Sequence, residues 1–306
     1  MPETEGAQPP DEIAAASGGD ATTAAAPAAS DAAAPSDANE LRGYHFRQLL
    51  RSGKTWALIL IPALVVAGIG AATVPLLGGV GFVAVVFVGI VAAFFVADRR
   101  AANAFFSLYA GQHQLELGGK APLPAATPLL RKGDARYAER TLTGQLAPDC
   151  SGLLALYTYE QETTDGDGNT QTNYYHYTVG LTSVPECTDL VPELYCQRKF
   201  GLRSLQKFED VFRRSKQRVK LESEALDEKY EIFSGKDQDP NWLRQLFAPS
   251  FIVWLTDSAP PKFAFELVDG NLCCYVNGHK EDSADLDTLA TATAAVARRL
   301  RDEATE

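Results

Sequence analysis

The chain contains one stretch of 43 residues without Asp, Glu, Lys, Arg or His, from Thr55 to Ala97. A turn at residues 75–78 divides it into two apolar halves of 19 residues each, 56–74 and 79–97. As helix, each half is roughly 28 Å long, close to the roughly 30 Å hydrocarbon core of a bilayer. The stretch therefore predicts a transmembrane hairpin of two helices, to which the other segments are attached.

Positive charge flanks both outer ends of this hairpin. The basic juxtamembrane segment 41–54 carries three Arg and one Lys, and Arg99 and Arg100 follow the second span, whereas the turn between the spans carries no charge. Because Lys and Arg are enriched on the cytoplasmic side of membrane helices, we expect a plasma-membrane protein with two spans and both termini in the cytoplasm.

The spans contain no acid, base, Asn or Gln. Ion and proton pathways need polar groups inside the membrane, so the sequence argues against a transporter or channel built from these helices. Small residues at helical spacing, such as Gly89 and Ala93, allow close helix packing. That packing occurs either within the hairpin or between chains, so a hairpin-driven homo-oligomer is an open alternative.

Residues 1–40 predict a disordered acidic tail. They contain eight Asp and Glu, no Lys or Arg, and almost no large apolar side chain, so they hold most of the net charge of −11. Such a composition cannot bury enough apolar surface to offset the conformational entropy lost on folding.

Beyond the second span, the apolar periodicity predicts a helical extension over 98–119 that ends at Gly118-Gly119. Pro122 and Pro124 then indicate a boundary. The remaining residues, 120–306, are numerous enough for a stable core and are expected to form one cytoplasmic domain.

Alternating and helical patterns in this domain predict an α+β fold: an antiparallel sheet with packed helices, following the two-helix transmembrane hairpin. Helices are expected at 202–212, 240–247 and 249–256, and a final one capped by Ser283. Its inner face is expected to be Leu286, Leu289, Ala290, Val296, Ala297 and Leu300, with Thr293 on the same face. Strands are expected at 136–146, 153–160, 174–183, 217–222, 230–234, 262–268 and 272–276.

The sequence identifies no catalytic residue, no metal ligand and no cofactor site. The five cysteines are odd in number and fit reduced cytoplasmic thiols, and their spacing does not suit zinc. Asp165, Asp167 and Asn169 imitate the start of a calcium loop, but the loop's glycine and its final glutamate are replaced by Thr170 and His176. A membrane-bound enzyme with a dispersed site, such as a Cys/His metal site, is the second alternative.

A basic cluster at 198–220 is the one feature that suggests a contact surface. Within it, Arg214, Lys216, Arg218 and Lys220 alternate, so in a strand they line one face. Such a row protects a sheet edge against aggregation, docks on the anionic cytoplasmic leaflet, or receives the acidic tail. Nucleic acid is not expected as a partner, because few aromatic side chains lie between the basic ones.

Across roughly 120–304, five segments resemble a family of uncharacterised bacterial membrane proteins with a transmembrane hairpin and a cytoplasmic domain of unknown function. The resemblance implies location and architecture, and it implies no activity, cofactor or site residue. The segments are Thr127-Pro128-Leu129-Leu130-Arg131-Lys132-Gly133-Asp134, Val191-Pro192-Glu193-Leu194-Tyr195, Leu221-Glu222-Ser223-Glu224-Ala225-Leu226, Tyr230-Glu231-Ile232-Phe233 and Phe263-Ala264-Phe265-Glu266.

The sequence therefore predicts a membrane-anchored cytoplasmic binding or scaffolding module. Its expected partners are the bilayer in which it is embedded, anionic lipid at the basic row, and a protein that the sequence does not identify.

Overall fold

The computed structural model describes residues 44, 46–48, 51–73, 75–199 and 216–305. The predicted acidic tail at 1–40 and the predicted helix at 202–212 lie outside the described residues. Two helices occupy the uncharged stretch, α1 (Gly53–Thr73) and α2 (Pro75–His113). Within the described part, the segment Val80–His113 is long and apolar enough to cross a membrane, and Thr55–Val65 is a shorter apolar helix.

Helices α1 and α2 pack against each other through small residues. Ile59 on α1 is 5% exposed, and a Cβ atom added to Gly89 on α2 would lie 2.8 Å from Ile59 Cγ1. Ala63 and Ala93 are buried as well. The absence of a side chain at Gly89 therefore lets the two helices approach closely within one chain.

Helix α2 runs without a break from the apolar stretch into the core of the sheet domain. Its first half exposes large apolar side chains, and its second half buries Phe105, Phe106 and Tyr109 against the sheet. The exposed side chains, which we call the apolar belt, are Val80, Val83, Phe87, Val88, Val91, Phe94, Phe95 and Val96.

The end of α2 differs from the sequence prediction. The helix ends at His113 rather than at Gly118-Gly119, because Gln114 takes a left-handed φ of 54°. The N–H of Leu115 then donates to the carbonyl of Ala110 at 2.8 Å, which is the Schellman pattern of helix termination. The first strand follows at once, so the sheet begins before residue 120, where the sequence places the start of the domain.

The strands of the described residues form one antiparallel sheet in the order β1-β2-β3-β4-β9-β8-β5-β7-β6. They are β1 (Glu116–Gly118), β2 (Ala135–Ala147), β3 (Cys150–Thr164), β4 (Thr170–Ser183), β5 (Glu193–Arg198), β6 (Gln217–Val219), β7 (Tyr230–Ser234), β8 (Ala264–Val268) and β9 (Asn271–Asn277). With its packed helices, the domain is α+β, as predicted.

The helices of this domain are short, except for the last. They are α3 (Pro128–Arg131), α4 (Glu224–Lys229), α5 (Pro240–Leu246), α6 (Pro249–Val253) and α7 (Ser283–Thr305). The predicted inner face of α7 is buried, Thr293 included, and it packs on β2, β3, β4 and β9. The predicted cap is wrong, because Asp282 Oδ1 accepts from the N–H groups of Ala284 and Asp285 at 2.9 and 3.2 Å.

The two sheet faces are covered differently. Helices α2, α5, α6 and α7 contribute to the large core on one face. The other face carries a second cluster around Leu129, Leu130 and Tyr157, which is formed where residues 119–134 cross the sheet. We call residues 119–134 the strap. The strap contains α3 and defines the site described next.

Candidate functional site

A cavity of about 560 Å³ lies between the strap and the sheet, and we call it the strap pocket. The strap contributes one wall, and the other walls come from the adjacent ends of β2, β3, β4 and β9. The residues around it are Pro124, Ala126, Thr127, Leu130, Thr143, Gly144, Gln145, Ser151, Gly152, Leu153, Leu181, Thr182, Ser183, Asn271 and Leu272. Its volume falls within the roughly 300–1,000 Å³ of small-molecule sites.

None of the residues that form the strap pocket has an ionisable side chain. Leucines from the strap and from three strands supply apolar surface, and the polar groups are hydroxyls and amides. Thr182 is already engaged, because its hydroxyl donates to the Ser151 carbonyl at 2.7 Å. The lining therefore offers apolar surface and neutral hydrogen-bonding groups to a bound molecule.

A buried carboxyl group fastens the strap beside the pocket. Glu266 lies in β8 and is 1% exposed. Its Oε2 atom accepts a hydrogen bond of 2.8 Å from the N–H of Leu129, in the first turn of α3. The hydroxyl of Tyr157 donates to the Leu129 carbonyl at 3.2 Å, so both polar groups of one strap residue are held by the sheet.

Burial raises the pKa of Glu266. The N–H of Leu129, the charge of Lys132 and the side chains of Thr127 and Gln197 all favour the ionised form, and they only partly offset the desolvation. An acid that is buried and incompletely compensated prefers to keep its proton. The attachment of the strap to the sheet is therefore coupled to protonation.

The stability of the domain is expected to depend on pH through Glu266. Its folded pKa lies above the ordinary value of 4.5, so as pH rises the unfolded chain releases this proton first. The free energy of unfolding therefore falls between pH 4.5 and the folded pKa, by up to about 1.4 kcal/mol per pH unit. Glu266→Gln should remove this fall, because the amide keeps an acceptor for Leu129 and cannot ionise.

This prediction is measured by urea denaturation of the full chain in lipid nanodiscs over a pH series. Subtracting the variant's curve from that of the wild type cancels the titration of all other carboxyl groups. The difference should decline with increasing pH, and parallel curves would contradict the coupling.

The predicted basic row is described in part, since Arg214 lies outside the described residues. Lys216 forms an ion pair with Glu193, and burial lowers the pKa of the Lys216 ammonium. The Lys216 ammonium also lies 5.9 Å from the centre of the Tyr195 ring. This cation therefore faces its own domain.

The next two basic side chains lie in or beside β6, which is shorter than the predicted strand 217–222. Arg218 pairs with Glu231 at 3.4 Å, and Lys220 is exposed beyond the end of the strand. Two of the three described cations of the row thus have a carboxylate partner, which lowers the charge available to anionic lipid. Docking of this row on the inner leaflet stays a prediction.

The described residues contain no group of three or more His, Cys, Asp or Glu side chains that could hold a metal ion. All five cysteines are free and buried. His176 and His279 lie with ring centres 4.6 Å apart, but both face the hydroxyl of Thr158, at 3.0 and 3.2 Å. A dispersed Cys/His metal site therefore gains no support from this part of the chain.

The segment that imitates a calcium loop is a hairpin turn between β3 and β4. Asp165 Oδ1 accepts from the N–H groups of Asp167 and Asn169, at 3.0 and 2.8 Å. The carboxylate that would begin a calcium site thus closes the turn on itself, as Asp does in Asx turns.

The strap pocket and Glu266 are absent from the sequence prediction. A signal existed for Glu266, which is the one charged residue in the run 263–268, since a carboxylate inside a buried strand needs a specific partner. The pocket gave no comparable signal, because its walls come from five separated segments. The resemblance to a membrane-protein family also stays a prediction.

Comparisons with known proteins add a distant structural similarity. No family model matches the chain, and no curated protein matches it. Among solved structures, it is similar to the crystal structure of the mycobacterial trehalose monomycolate transport factor A, TtfA, with a TM-score of 0.40 and 10% sequence identity. The similarity covers 67% of this chain and 94% of that chain, and at this score it assigns neither a fold nor a function.

Proposed function

We propose that the protein is a membrane-anchored cytoplasmic binding module. In this proposal α1 and α2 span the bilayer as a hairpin, both termini are cytoplasmic, and the sheet domain is held at the inner membrane surface. The sheet domain supplies the binding surface in this proposal, since the spans contain no acid, base, Asn or Gln side chain that could form a transport path.

The apolar belt supports the anchoring part of the proposal. Eight large apolar side chains of α2 are exposed between residues 80 and 96. Covering such side chains is worth about 1.5–3 kcal/mol each, so removing this belt from water is worth on the order of 10 kcal/mol. Arg99 and Arg100 are exposed directly after it, where basic residues favour the cytoplasmic side.

The continuity of α2 carries the proposal. One helix contains both the apolar belt and the buried residues Phe105, Phe106 and Tyr109 of the domain core. A flexible linker would leave the domain free to turn, whereas a continuous helix sets both its distance from the bilayer and its orientation. That arrangement suits a module that presents a fixed surface to a partner near the membrane.

Side-chain contacts strengthen this junction. The hydroxyl of Tyr109 donates to Asp287 on α7 at 2.7 Å, and His113 stacks on Tyr109 with ring centres 4.2 Å apart. On β2, Arg140 donates to Asn103 of α2 at 2.6 Å. Helix α2 is thus joined to the sheet and to the last helix of the domain.

Membrane fractionation tests the anchor. The wild type should sediment with membranes, resist alkaline extraction and dissolve only in detergent. Replacing Phe87 and Val91 together with Asp should move the protein toward the soluble fraction, because each charge costs about 2.5–3.5 kcal/mol at the centre of a span. Leu108→Asp is the matched control: it adds a charge to an exposed position on the same helix beyond the belt.

Protease added to sealed, right-side-out cells tests the orientation. Residues beyond 120 should stay intact there and be digested in inverted vesicles. Wild-type protein in the supernatant after high-speed centrifugation would refute the anchor, and digestion from outside the cell would refute the cytoplasmic placement. Cross-linking in the same membranes distinguishes a monomer from a homo-oligomer.

A further inference from the structure

We propose that the strap pocket binds a small uncharged amphiphile, a molecule with an aliphatic body and a neutral head of hydroxyl, carbonyl or amide groups. This gives the binding module a ligand class. The chemistry of the lining stands without the anchor, and only the ligand's route of entry rests on the proposed function.

An aliphatic ligand body suits the strap pocket because four leucines line it. Leu130 and Leu272 are buried, whereas Leu153 and Leu181 are half-buried and face the cavity from neighbouring strands. Leucine surface left open to water is unfavourable by about 25 cal/mol per Å². An aliphatic chain that covers the open surface of Leu153 and Leu181 recovers that free energy, and the buried Leu130 and Leu272 complete the apolar lining.

A neutral, hydrogen-bonding ligand head suits the rim of the pocket because the polar groups there are uncharged. Thr143, Gln145, Ser151 and Ser183 are exposed and supply hydroxyl and amide groups that donate and accept hydrogen bonds. No side chain of the lining can form an ion pair. An ionised ligand would lose hydration without gaining a counter-charge, and this cost exceeds that of a hydrogen-bonded neutral head.

The place of the pocket on the domain favours a ligand that arrives through water. Leu115, just beyond the end of α2, lies against Gly144 of the pocket, where an added Cβ atom would be 2.9 Å from its Cδ2. In the proposed orientation, the helix from Arg99 to His113 rises about 21 Å, which separates the pocket from the bilayer. A small amphiphile can cover that distance in solution, whereas a bilayer lipid entering sideways cannot.

Three probes with the same eight-carbon chain test the proposal: glycerol monooctanoate, the octanoate anion and the octylammonium cation. Each is titrated by calorimetry into the full chain in lipid nanodiscs. Glycerol monooctanoate should bind saturably, and the two charged probes should bind at least about ten-fold more weakly. Empty nanodiscs give the background of partitioning into lipid.

Variants assign the binding to the pocket. Ser183→Trp places an indole over the cavity at an exposed rim position. It should weaken the binding of glycerol monooctanoate at least about ten-fold. Ser250→Trp, an equally large change at an exposed serine of α6, should leave binding unchanged. Ser151→Trp, at an exposed rim position on the neighbouring strand β3, repeats the test, and hydrogen exchange of β3 and β4 confirms that each variant is folded.

The binding results test the ligand proposal, and membrane fractionation tests the anchor, so the failure of one can be told from the failure of the other. Equal binding to the wild type and to folded Ser183→Trp would overturn the pocket, as would equal affinity for the three probes or partitioning that never saturates. None of these results alters the fractionation of the protein, and loss of the anchor would leave the lining chemistry in place.

Discussion

Phe106→Ala is expected to lower the free energy of unfolding of the sheet domain by about 3–5 kcal/mol. Phe106 is 1% exposed and lies on α2 where the helix enters the domain core. Its ring packs edge-on against Phe105 at 5.0 Å, and the Arg140 guanidinium lies 5.1 Å from its centre. Truncation to alanine removes the buried ring and leaves a cavity between α2 and the sheet. Neither element can move enough to close it.

The measurement is pulse proteolysis in urea, on the full chain in nanodiscs. Leu108→Ala is the matched control, because Leu108 is 41% exposed on the same helix and should lose less than about 0.5 kcal/mol. Phe106→Ala should also loosen the packing of α2 against the sheet domain. This loosening should be visible as faster hydrogen exchange in residues 101–113. Equal losses for the two variants would show that the second half of α2 is not part of the core.

Gly180→Ala is expected to destabilise the domain by about 1–3 kcal/mol, although it adds a single methyl group. Gly180 lies in β4 beneath α7, and an added Cβ atom would be 2.3 Å from Thr293 Oγ1. Thr293 cannot rotate away easily, because its side chain is branched at Cβ and its hydroxyl donates to the Leu289 carbonyl at 2.8 Å. The helix must therefore shift away from the sheet.

A double-mutant cycle makes this prediction specific. Thr293→Ala removes the atom nearest to the new methyl group, so the double variant should recover most of the lost stability. Gly111→Ala is the control, since nothing lies within 4 Å of an added Cβ atom there and helix interiors prefer alanine to glycine. Additive losses in the cycle would contradict a direct clash between β4 and α7.

The β3–β4 and β8–β9 hairpins could be predicted because their signals are local. In the second hairpin, Asp269 and Gly270 have φ values of 47° and 72°, the conformation that Asp-Gly turns favour between paired strands. The predicted buried stripe of α7 is equally local, as it repeats every three or four residues. These elements form where neighbouring residues alone decide the backbone.

Other elements depend on contacts that a local pattern does not show. Strand β5 follows Pro192 and is defined by pairing with β7 and β8, whose paired residues lie 32 to 75 positions later in the chain. Strand β1 follows directly because α2 ends at His113, where the left-handed Gln114 terminates the helix before the predicted Gly118-Gly119. The capping role passes to Asp282, because its carboxylate reaches two N–H groups.

The site was the least predictable part for the same reason. The strap pocket is assembled from a segment before β2 and from the ends of four strands, so no single window of sequence contains it. The basic row was visible in the sequence, but the partners of Lys216 and Arg218 were not, since Glu193 and Glu231 come from other strands. A charge pattern shows how many cations are present and leaves open which of them are neutralised.

If α2 spans the bilayer as proposed, its unbroken course gives the domain a defined azimuth about the membrane normal. Each residue of an α-helix advances about 100° and 1.5 Å, so one residue inserted between positions 97 and 101 would swing the whole sheet by more than a quarter of a circle. Seven inserted residues would nearly restore the original heading and lift the sheet by about 10 Å. The direction in which the strap pocket opens is therefore set by the length of one helix, counted in residues.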